Sequence, residues 1–223
     1  NAMKRTFLYV VINSSLVKPD LPLYWMFYVL HFPFQKQGSG GIPEAMFNAA
    51  LFISWGAIHS LLARDFAKKR MAKLVGDNFV RTGYVWIAGI TLTLVLLLWR
   101  PVSGVLWQAD GILYWLLTLL YFGFIAGMIY TTFFIDYLDF VGIRAHLRAM
   151  RNRPHRPPVF SVKGPYAYCR HPLYLLLLIS FWLTPVMTLT RFEFALIGSV
   201  YLVIGTYFEE RNLRQEFGEV YEL

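Results

Sequence analysis

The sequence has little charge and almost no cysteine, and both shortages narrow the class of protein. Only 15% of its 223 residues are charged, whereas soluble domains usually contain about 25%. The one cysteine, Cys169, excludes an internal disulfide framework and a zinc site built from several cysteines. The chain also has neither a G-x-G-x-x-G turn nor a P-loop, so a soluble nucleotide-binding fold is not predicted.

Apolar and aromatic side chains are present in excess. Hydrophobic residues make up 57% of the chain and aromatic residues 18%, which indicates a membrane protein with aromatic belts at both interfaces. The net charge of +8 lies mostly in short loops between apolar stretches, so membrane topology explains it and no nucleic-acid partner is expected. Asn1 and Ala2 precede Met3 and resemble a tag remnant, so one membrane domain is predicted over residues 3–223.

Five apolar stretches are long enough to cross a bilayer, which takes about 17–25 residues. They are residues 45–63, 80–99, 112–135, 173–190 and 192–208. Only Thr190 and Arg191 separate the last two, which predicts a tight helical hairpin, and Pro185 is expected to kink the fourth span. Residues 7–34 are apolar at both ends but polar in the middle, so they predict either a sixth span or an interfacial segment. The expected fold is all-α: a polytopic membrane bundle of five or six transmembrane helices, with a C-terminal cytoplasmic helix.

Lysine and arginine are concentrated in alternate loops between the predicted spans. Residues 64–81 and 136–172 are rich in lysine and arginine, whereas the intervening connections contain single cations. Because loops rich in lysine and arginine stay in the cytoplasm, these two loops and the tail 209–223 are predicted to be cytoplasmic.

The most distinctive stretch is residues 163–174, with the sequence KGPYAYCRHPLY. Pro172 suits the first turn of a helix, whose free N–H groups attract an anion. Arg170 and His171 would oppose that helix dipole unless an anion lay among them. Two interpretations stay open: a carboxylate or phosphate site, or an interfacial arginine beside a helix-starting proline.

Two adjacent carboxylates end the last span. Glu209 and Glu210 directly follow an apolar run, where carboxylates are costly unless they reach water or a partner. Glu210 can pair with Arg214 one helical turn later, which is typical of a solvated helix end. Alternatively, one carboxylate turns toward Arg170 and His171, which would place an anion site and a cation site in one pocket.

A weaker candidate is His59, near the end of the first predicted span. An ionisable group at this depth is a functional candidate, although a hydrogen-bonded structural histidine explains it equally well.

Several motifs resemble the isoprenylcysteine carboxyl methyltransferase-like membrane methyltransferases. G-P-Y-x-Y-x-R-H-P-x-Y at 164–174 is followed by a helical hairpin, then E-E-R, then E-F-G-x-x-Y. Phospholipid N-methyltransferases share this pattern. The stretches 59–64, 139–144 and 181–188 further resemble the bacterial methanethiol S-methyltransferase subgroup. The resemblance covers residues 45–222, although Leu175 stands where the family often has glycine.

This resemblance implies S-adenosylmethionine as the methyl donor, bound within residues 136–223. The implied cofactor-binding residues are Tyr166, Arg170, His171, Pro172, Tyr174, Tyr207, Glu209 and Glu210. The basic pair and the helix start would hold the donor's carboxylate, a glutamate its ammonium or ribose, and the tyrosines its adenine or sulfonium. A thiol acceptor reacts as the thiolate, so His59 and Glu210 are candidate catalytic bases.

The implied acceptor is a small or lipophilic molecule, with a thiol favoured, and membrane lipids surround the protein. The resemblance also implies a bacterial inner membrane, with the active site facing the cytoplasm. Three alternatives stay open. The acceptor could be a prenylcysteine carboxylate or a lipid amine. The protein could be an NADPH-dependent membrane reductase, because sterol reductases carry a similar pattern. It could also be a non-enzymatic membrane protein.

Overall fold

The structure is a computed structural model, and it describes residues 21–135 and 163–218. The described residues contain seven α-helices and two strands. In chain order these are α1 (Leu21–His31), α2 (Ile42–Leu62), α3 (Asp65–Val75), α4 (Asp77–Leu98), β1 (Val105–Gln108), α5 (Gly111–Thr132), α6 (Pro172–Trp182), β2 (Val186–Thr188) and α7 (Leu189–Phe217). The predicted basic loop over 136–162 and the predicted tail after 218 lie outside the described residues.

Four of the helices are long and apolar enough to cross a membrane: α2, α4, α5 and α7. With a rise of about 1.5 Å per residue, the 21 residues of α2 extend about 32 Å, close to the thickness of a bilayer core. Their outer surfaces are apolar, and Ile112 and Leu119 of α5 are 90% and 70% exposed. These features confirm a helical membrane protein with several spans.

The prediction of one continuous span over residues 173–190 is wrong. Helix α6 ends at Trp182 after 11 residues, and the chain continues in extended conformation to β2. Thr184 precedes Pro185, and a residue before proline disfavours the helical region, so the helix ends there instead of kinking. Strand β2 pairs antiparallel with β1, with Val186 opposite Gln108. The fold is therefore not purely α-helical, and this pairing satisfies backbone groups between the two helices.

The prediction that Thr190 and Arg191 form the turn between two spans is also wrong. Both lie in the first turn of α7, where the hydroxyl of Thr188 accepts a hydrogen bond from the Arg191 backbone N–H at 3.2 Å. Arg191 is 0% exposed and so is not a loop cation. Its guanidinium donates to the carbonyls of Ser180 at 2.9 Å and Leu183 at 3.2 Å. It also donates to the carbonyls of Phe181 and Leu30. The C-terminal carbonyls of α6 thus have a buried donor.

Helix α1 is the described part of the ambiguous residues 7–34. It has 11 residues and packs inside the bundle, with Leu30 0% exposed. The hydroxyl of Tyr121 donates to the Phe27 carbonyl at 2.9 Å, and the His31 ring stacks on Tyr121 with centroids 4.8 Å apart. The described residues of α1 extend about 16 Å, and the rest of the segment 7–34 that precedes them lies outside the described residues, so a sixth span stays a prediction.

An aromatic core fixes α2 and α7 against each other. The ring of Phe194 on α7 meets those of Phe52 and Trp99 edge-on, with centroids 5.5 and 5.3 Å apart. About one turn further along α2 and two turns further along α7, Trp55 and Tyr201 come into contact with centroids 5.4 Å apart. Because α2 and α7 run in the same direction, this core sets the spacing of the residues that follow it on both helices.

Helix α3 carries cations of the loop predicted to be cytoplasmic. Lys68, Lys69 and Arg70 are exposed, and so are the apolar side chains of Phe66 and Leu74. A basic amphipathic helix between two spans suits the level of the lipid headgroups.

If α3 lies on the cytoplasmic side, cysteine labelling should show this orientation of the protein. In a Cys169→Ser background, a cysteine introduced by Lys69→Cys should react with a membrane-impermeant maleimide only after the cytoplasmic side is opened. Gln108→Cys, exposed in β1, is the matched control and should react in intact cells. The reverse labelling pattern would contradict the predicted orientation.

Candidate active site

Glu210 lies at the centre of a cluster of charged groups, at the end of the bundle where α2 ends and α4 and α6 begin. Its Oε1 is 2.5 Å from His171 Nε2, and its Oε2 is 3.4 Å from Arg170 Nη1. Arg214 Nη2 is 3.8 Å from the same Oε2. The structure therefore brings together the basic pair and the carboxylate that the sequence suggested as one pocket, together with the predicted pairing to Arg214. The role of these residues in binding stays a prediction.

A compact turn places the basic pair beside α7. Gly164 has φ +60, and a Cβ there would lie 2.5 Å from the Phe134 ring, so glycine is required. A 3-10 helix over Gly164–Ala167 follows, and the Cys169 N–H donates to the Pro165 carbonyl at 3.1 Å. His171 is then the N-cap residue of α6 and Pro172 its buried first residue, as the sequence predicted for a helix start.

Glu209 faces a different set of partners, made of phenols. The Tyr174 hydroxyl lies beside the Glu209 carboxylate, and the Tyr174 ring stacks on His171 with centroids 5.5 Å apart and an interplanar angle of 7°. Burial, with a smaller contribution from the negative charge of Glu209, raises the pKa of Tyr166. The adjacent glutamates thus divide between two environments, cations around Glu210 and phenols around Glu209.

His59 belongs to the same end of the bundle. Its Nε2 is 2.8 Å from the hydroxyl of Tyr84, and its ring stacks on Trp55 with centroids 5.3 Å apart. Tyr84 in turn interacts electrostatically with Glu209 and with Tyr174. His59 is therefore connected to the phenol side of the pocket through Tyr84.

Sequence analysis missed Tyr84 and Tyr201. Tyr201 approaches α2, with its hydroxyl 3.4 Å from Ser60 Oγ, and a Cβ at Gly56 would lie only 3.0 Å from the Tyr201 ring. Both tyrosines lie in helices that are otherwise strongly apolar. A phenol in such a helix needs a hydrogen-bond partner, and this requirement was the available signal.

Tyr207 lies apart from this cluster in the described residues. It is 67% exposed, and its ring contacts Phe208 with centroids 5.6 Å apart. Two residues correspond to about 200° of rotation around an α-helix, so Tyr207 points away from the side of α7 that carries Glu209. Its predicted contact with the cofactor gains no support from this position.

The charges of the cluster suit a ligand that carries both signs. Among the described residues, Arg170 and Arg214 are two permanent cations that flank one carboxylate, Glu210. The free N–H groups at the start of α6 add to the attraction for an anion. Glu209 and the surrounding phenols offer a place for a cation. Within residues 21–135 and 163–218, no group of His, Cys, Asp and Glu could hold a metal ion.

Comparison with known proteins identifies the family. Methanethiol S-methyltransferase 2 of Bradyrhizobium diazoefficiens is 34% identical over 221 residues, which cover 96% of this chain and 85% of that protein. The methanethiol S-methyltransferase of Pseudomonas deceptionensis is 35% identical over 185 residues, 80% of this chain and 69% of that protein. The Nurim homolog of Drosophila melanogaster is more distant, at 24% identity over 203 residues, 85% of this chain and 77% of that protein. No family model and no solved structure matches the chain. The identities and coverages of these relatives show that the chain belongs to the methanethiol S-methyltransferases, within the isoprenylcysteine carboxyl methyltransferase-like membrane enzymes.

Proposed function

We propose that this protein transfers a methyl group from S-adenosylmethionine to a small thiol such as methanethiol, at a site facing the cytoplasm of a bacterial inner membrane. One observation carries the proposal: Arg170, His171 and Glu210 form an ion-pair cluster directly beside the phenols around Glu209. The family to which the chain belongs supports the same reaction.

The donor fits the charges of the pocket. S-adenosylmethionine supplies an electrophilic methyl group on a positively charged sulfur, and it also carries a carboxylate and an ammonium. Arg170 and the N–H groups at the start of α6 would hold the carboxylate through charge-assisted hydrogen bonds. Glu210 keeps the two basic side chains oriented toward each other, with its Oε1 2.5 Å from His171 Nε2.

The other side of the pocket would take the positive charge. Glu209 is placed to bind the ammonium or a ribose hydroxyl. The rings of Tyr166 and Tyr174 offer faces that attract a cation, which adds about 0.5–2 kcal/mol for a well-placed cation–π contact. The stacking of Tyr174 on His171 holds the two halves of the pocket together.

The function can be tested with the purified protein in lipid nanodiscs. Supplied with S-adenosylmethionine and methanethiol, it should form dimethyl sulfide, measured by gas chromatography with mass spectrometry. A prenylcysteine and a lipid amine offered in parallel should give no methylated product. Calorimetry should detect binding of S-adenosylmethionine and not of NADPH.

Three outcomes would overturn parts of this proposal. Methylation of the prenylcysteine or the amine alone would reassign the acceptor. Binding of NADPH without binding of the methyl donor would point to a reductase. Binding of neither compound would favour a membrane protein without this enzymatic activity.

A further inference from the structure

We propose that Tyr84 is the residue that contacts the acceptor thiol and passes its proton to His59. This inference rests on the proposed function, because it assigns roles within the same reaction. It replaces two direct candidates for the base, His59 and Glu210, with a tyrosine–histidine pair on α4 and α2.

The Tyr84–His59 pair has the geometry of a proton-transfer couple. The Tyr84 hydroxyl lies 2.8 Å from His59 Nε2 and 3.4 Å from Nδ1, so Nε2 is the closer partner. Trp55 lies one turn before His59 on α2 and stacks on its ring at an interplanar angle of 18°. The Trp55 indole N–H donates to the Ala88 carbonyl of α4 at 3.5 Å, which ties this arrangement to the helix carrying Tyr84.

Tyr84 is also the member of the pair that interacts electrostatically with residues of the proposed donor site. Its phenol interacts electrostatically with Glu209, with Tyr174 and with Tyr201. The contacts described for His59 are with Trp55, Tyr84 and Tyr201. A small acceptor near the Glu209–Tyr174 side would therefore meet the hydroxyl of Tyr84, and His59 would lie behind it.

The proton balance of the step is simple. The thiol S–H gives its proton to the Tyr84 oxygen while the Tyr84 O–H proton moves to His59 Nε2. The products are a thiolate, an intact phenol and an imidazolium. The thiolate is the nucleophile in methyl transfer, and the phenol can donate a hydrogen bond to it until it reacts.

One neighbour of His59, the Trp55 ring, would attract an imidazolium that forms during the reaction. The parallel Trp55 ring lies 5.3 Å from the His59 ring, within the range of about 6 Å in which an aromatic face attracts a cation. Glu209 is engaged by the Tyr174 hydroxyl, and Glu210 by His171 and Arg170, so both glutamates already have partners.

Tyr84→Phe is the sharpest test, because it keeps the ring against His59 and removes only the hydroxyl. General acid–base groups contribute about 10²–10⁴ in rate, so single-turnover methylation of methanethiol should fall by about 100-fold or more. The affinity for S-adenosylmethionine should stay within about twofold of the wild type. Tyr130→Phe is the matched control, since Tyr130 is 57% exposed on α5, and it should not change the rate.

A second acceptor separates proton removal from a structural role. Methaneselenol is nearly the same size as methanethiol, but it is a stronger acid and already ionised at neutral pH. Tyr84→Phe should therefore lose far less rate with methaneselenol than with methanethiol. The double variant Tyr84→Phe/His59→Asn should be little slower than Tyr84→Phe alone, because residues that act as one unit are not additive.

Equal losses with both acceptors would overturn the inference, and so would an unchanged rate with methanethiol. Failure of the proposed function looks different. In that case the wild type itself forms no dimethyl sulfide, whatever residue occupies position 84.

Discussion

Arg191→Met should lower the free energy of unfolding by about 3–5 kcal/mol, the order expected when several buried acceptors lose their donor. The guanidinium donates to carbonyls at the C-terminus of α6 and to the Leu30 carbonyl of α1. Methionine leaves these acceptors without a donor in an apolar environment, and each such group costs about 1–3 kcal/mol, although these costs do not add fully. Unfolding can be followed by circular dichroism during a titration with a denaturing detergent.

Two controls show whether the loss of stability comes from the arrangement of the guanidinium donors or from the loss of a positive charge. Arg191→Lys keeps the charge but replaces a planar fork with a single ammonium, so we expect an intermediate loss of stability. Lys36→Met removes an exposed cation and should change stability by no more than about 0.5 kcal/mol. Equal effects of Arg191→Met and Lys36→Met would contradict the capping role.

The second large effect concerns the donor. If Arg170 holds the carboxylate of S-adenosylmethionine, Arg170→Ala removes a charge-assisted hydrogen bond worth about 1.5–3 kcal/mol. Since each 1.4 kcal/mol is about tenfold, the affinity for the donor should fall by about 10- to 100-fold in calorimetry. Glu210→Gln should weaken binding too, because it removes the partner of His171 and Arg170.

Matched variants test whether the loss of affinity for S-adenosylmethionine arises in the pocket. Arg211→Ala removes an exposed cation next to Glu210 on α7 and should leave donor affinity unchanged. His59→Ala should lower turnover while donor affinity stays nearly the same, since His59 lies on the acceptor side. Wild-type donor affinity in both Arg170→Ala and Glu210→Gln would contradict the proposed binding site, even if the protein proved to be a methyltransferase.

Hydropathy predicted the long helices well. The predicted spans 45–63 and 112–135 correspond to α2 (Ile42–Leu62) and α5 (Gly111–Thr132). Each of these helices satisfies its own backbone, so a local apolar run is sufficient to specify it.

The same reasoning failed between α6 and α7. An apolar run does not reveal that backbone after Trp182 pairs with β1. Nor does it reveal that Arg191 finds an acceptor at Leu30, 161 residues earlier in the chain. The strand pairing and the Leu30 contact both depend on segments that are distant in sequence. Because hydropathy shows neither, Arg191 was interpreted as a loop residue.

The residues of the site show the same difference between local sequence signals and contacts of distant segments. Arg170, His171 and the two glutamates were recognisable because they form short motifs at the ends of helices. Tyr84 could not be assigned, because its partner His59 lies on another helix and tyrosine is common in membrane helices. The contact of Tyr207 with the cofactor stays a prediction, although Tyr207 is exposed and points to another side of α7 than Glu209.

The capping of α6 by Arg191 also bears on how the chain enters the bilayer during synthesis. A lone arginine raises the cost of inserting a helix, by about 2.5–3.5 kcal/mol at its centre. Most of the acceptors for Arg191 are Ser180, Phe181 and Leu183, which belong to the same α6–α7 hairpin. If the hairpin leaves the translocon as one unit, the carbonyl groups at the end of α6 enter the bilayer together with Arg191. Their dipoles then solvate most of its charge. The contacts of Arg191 with Leu30 of α1 and with the Tyr121 ring of α5 then form only when the hairpin assembles with the preceding helices.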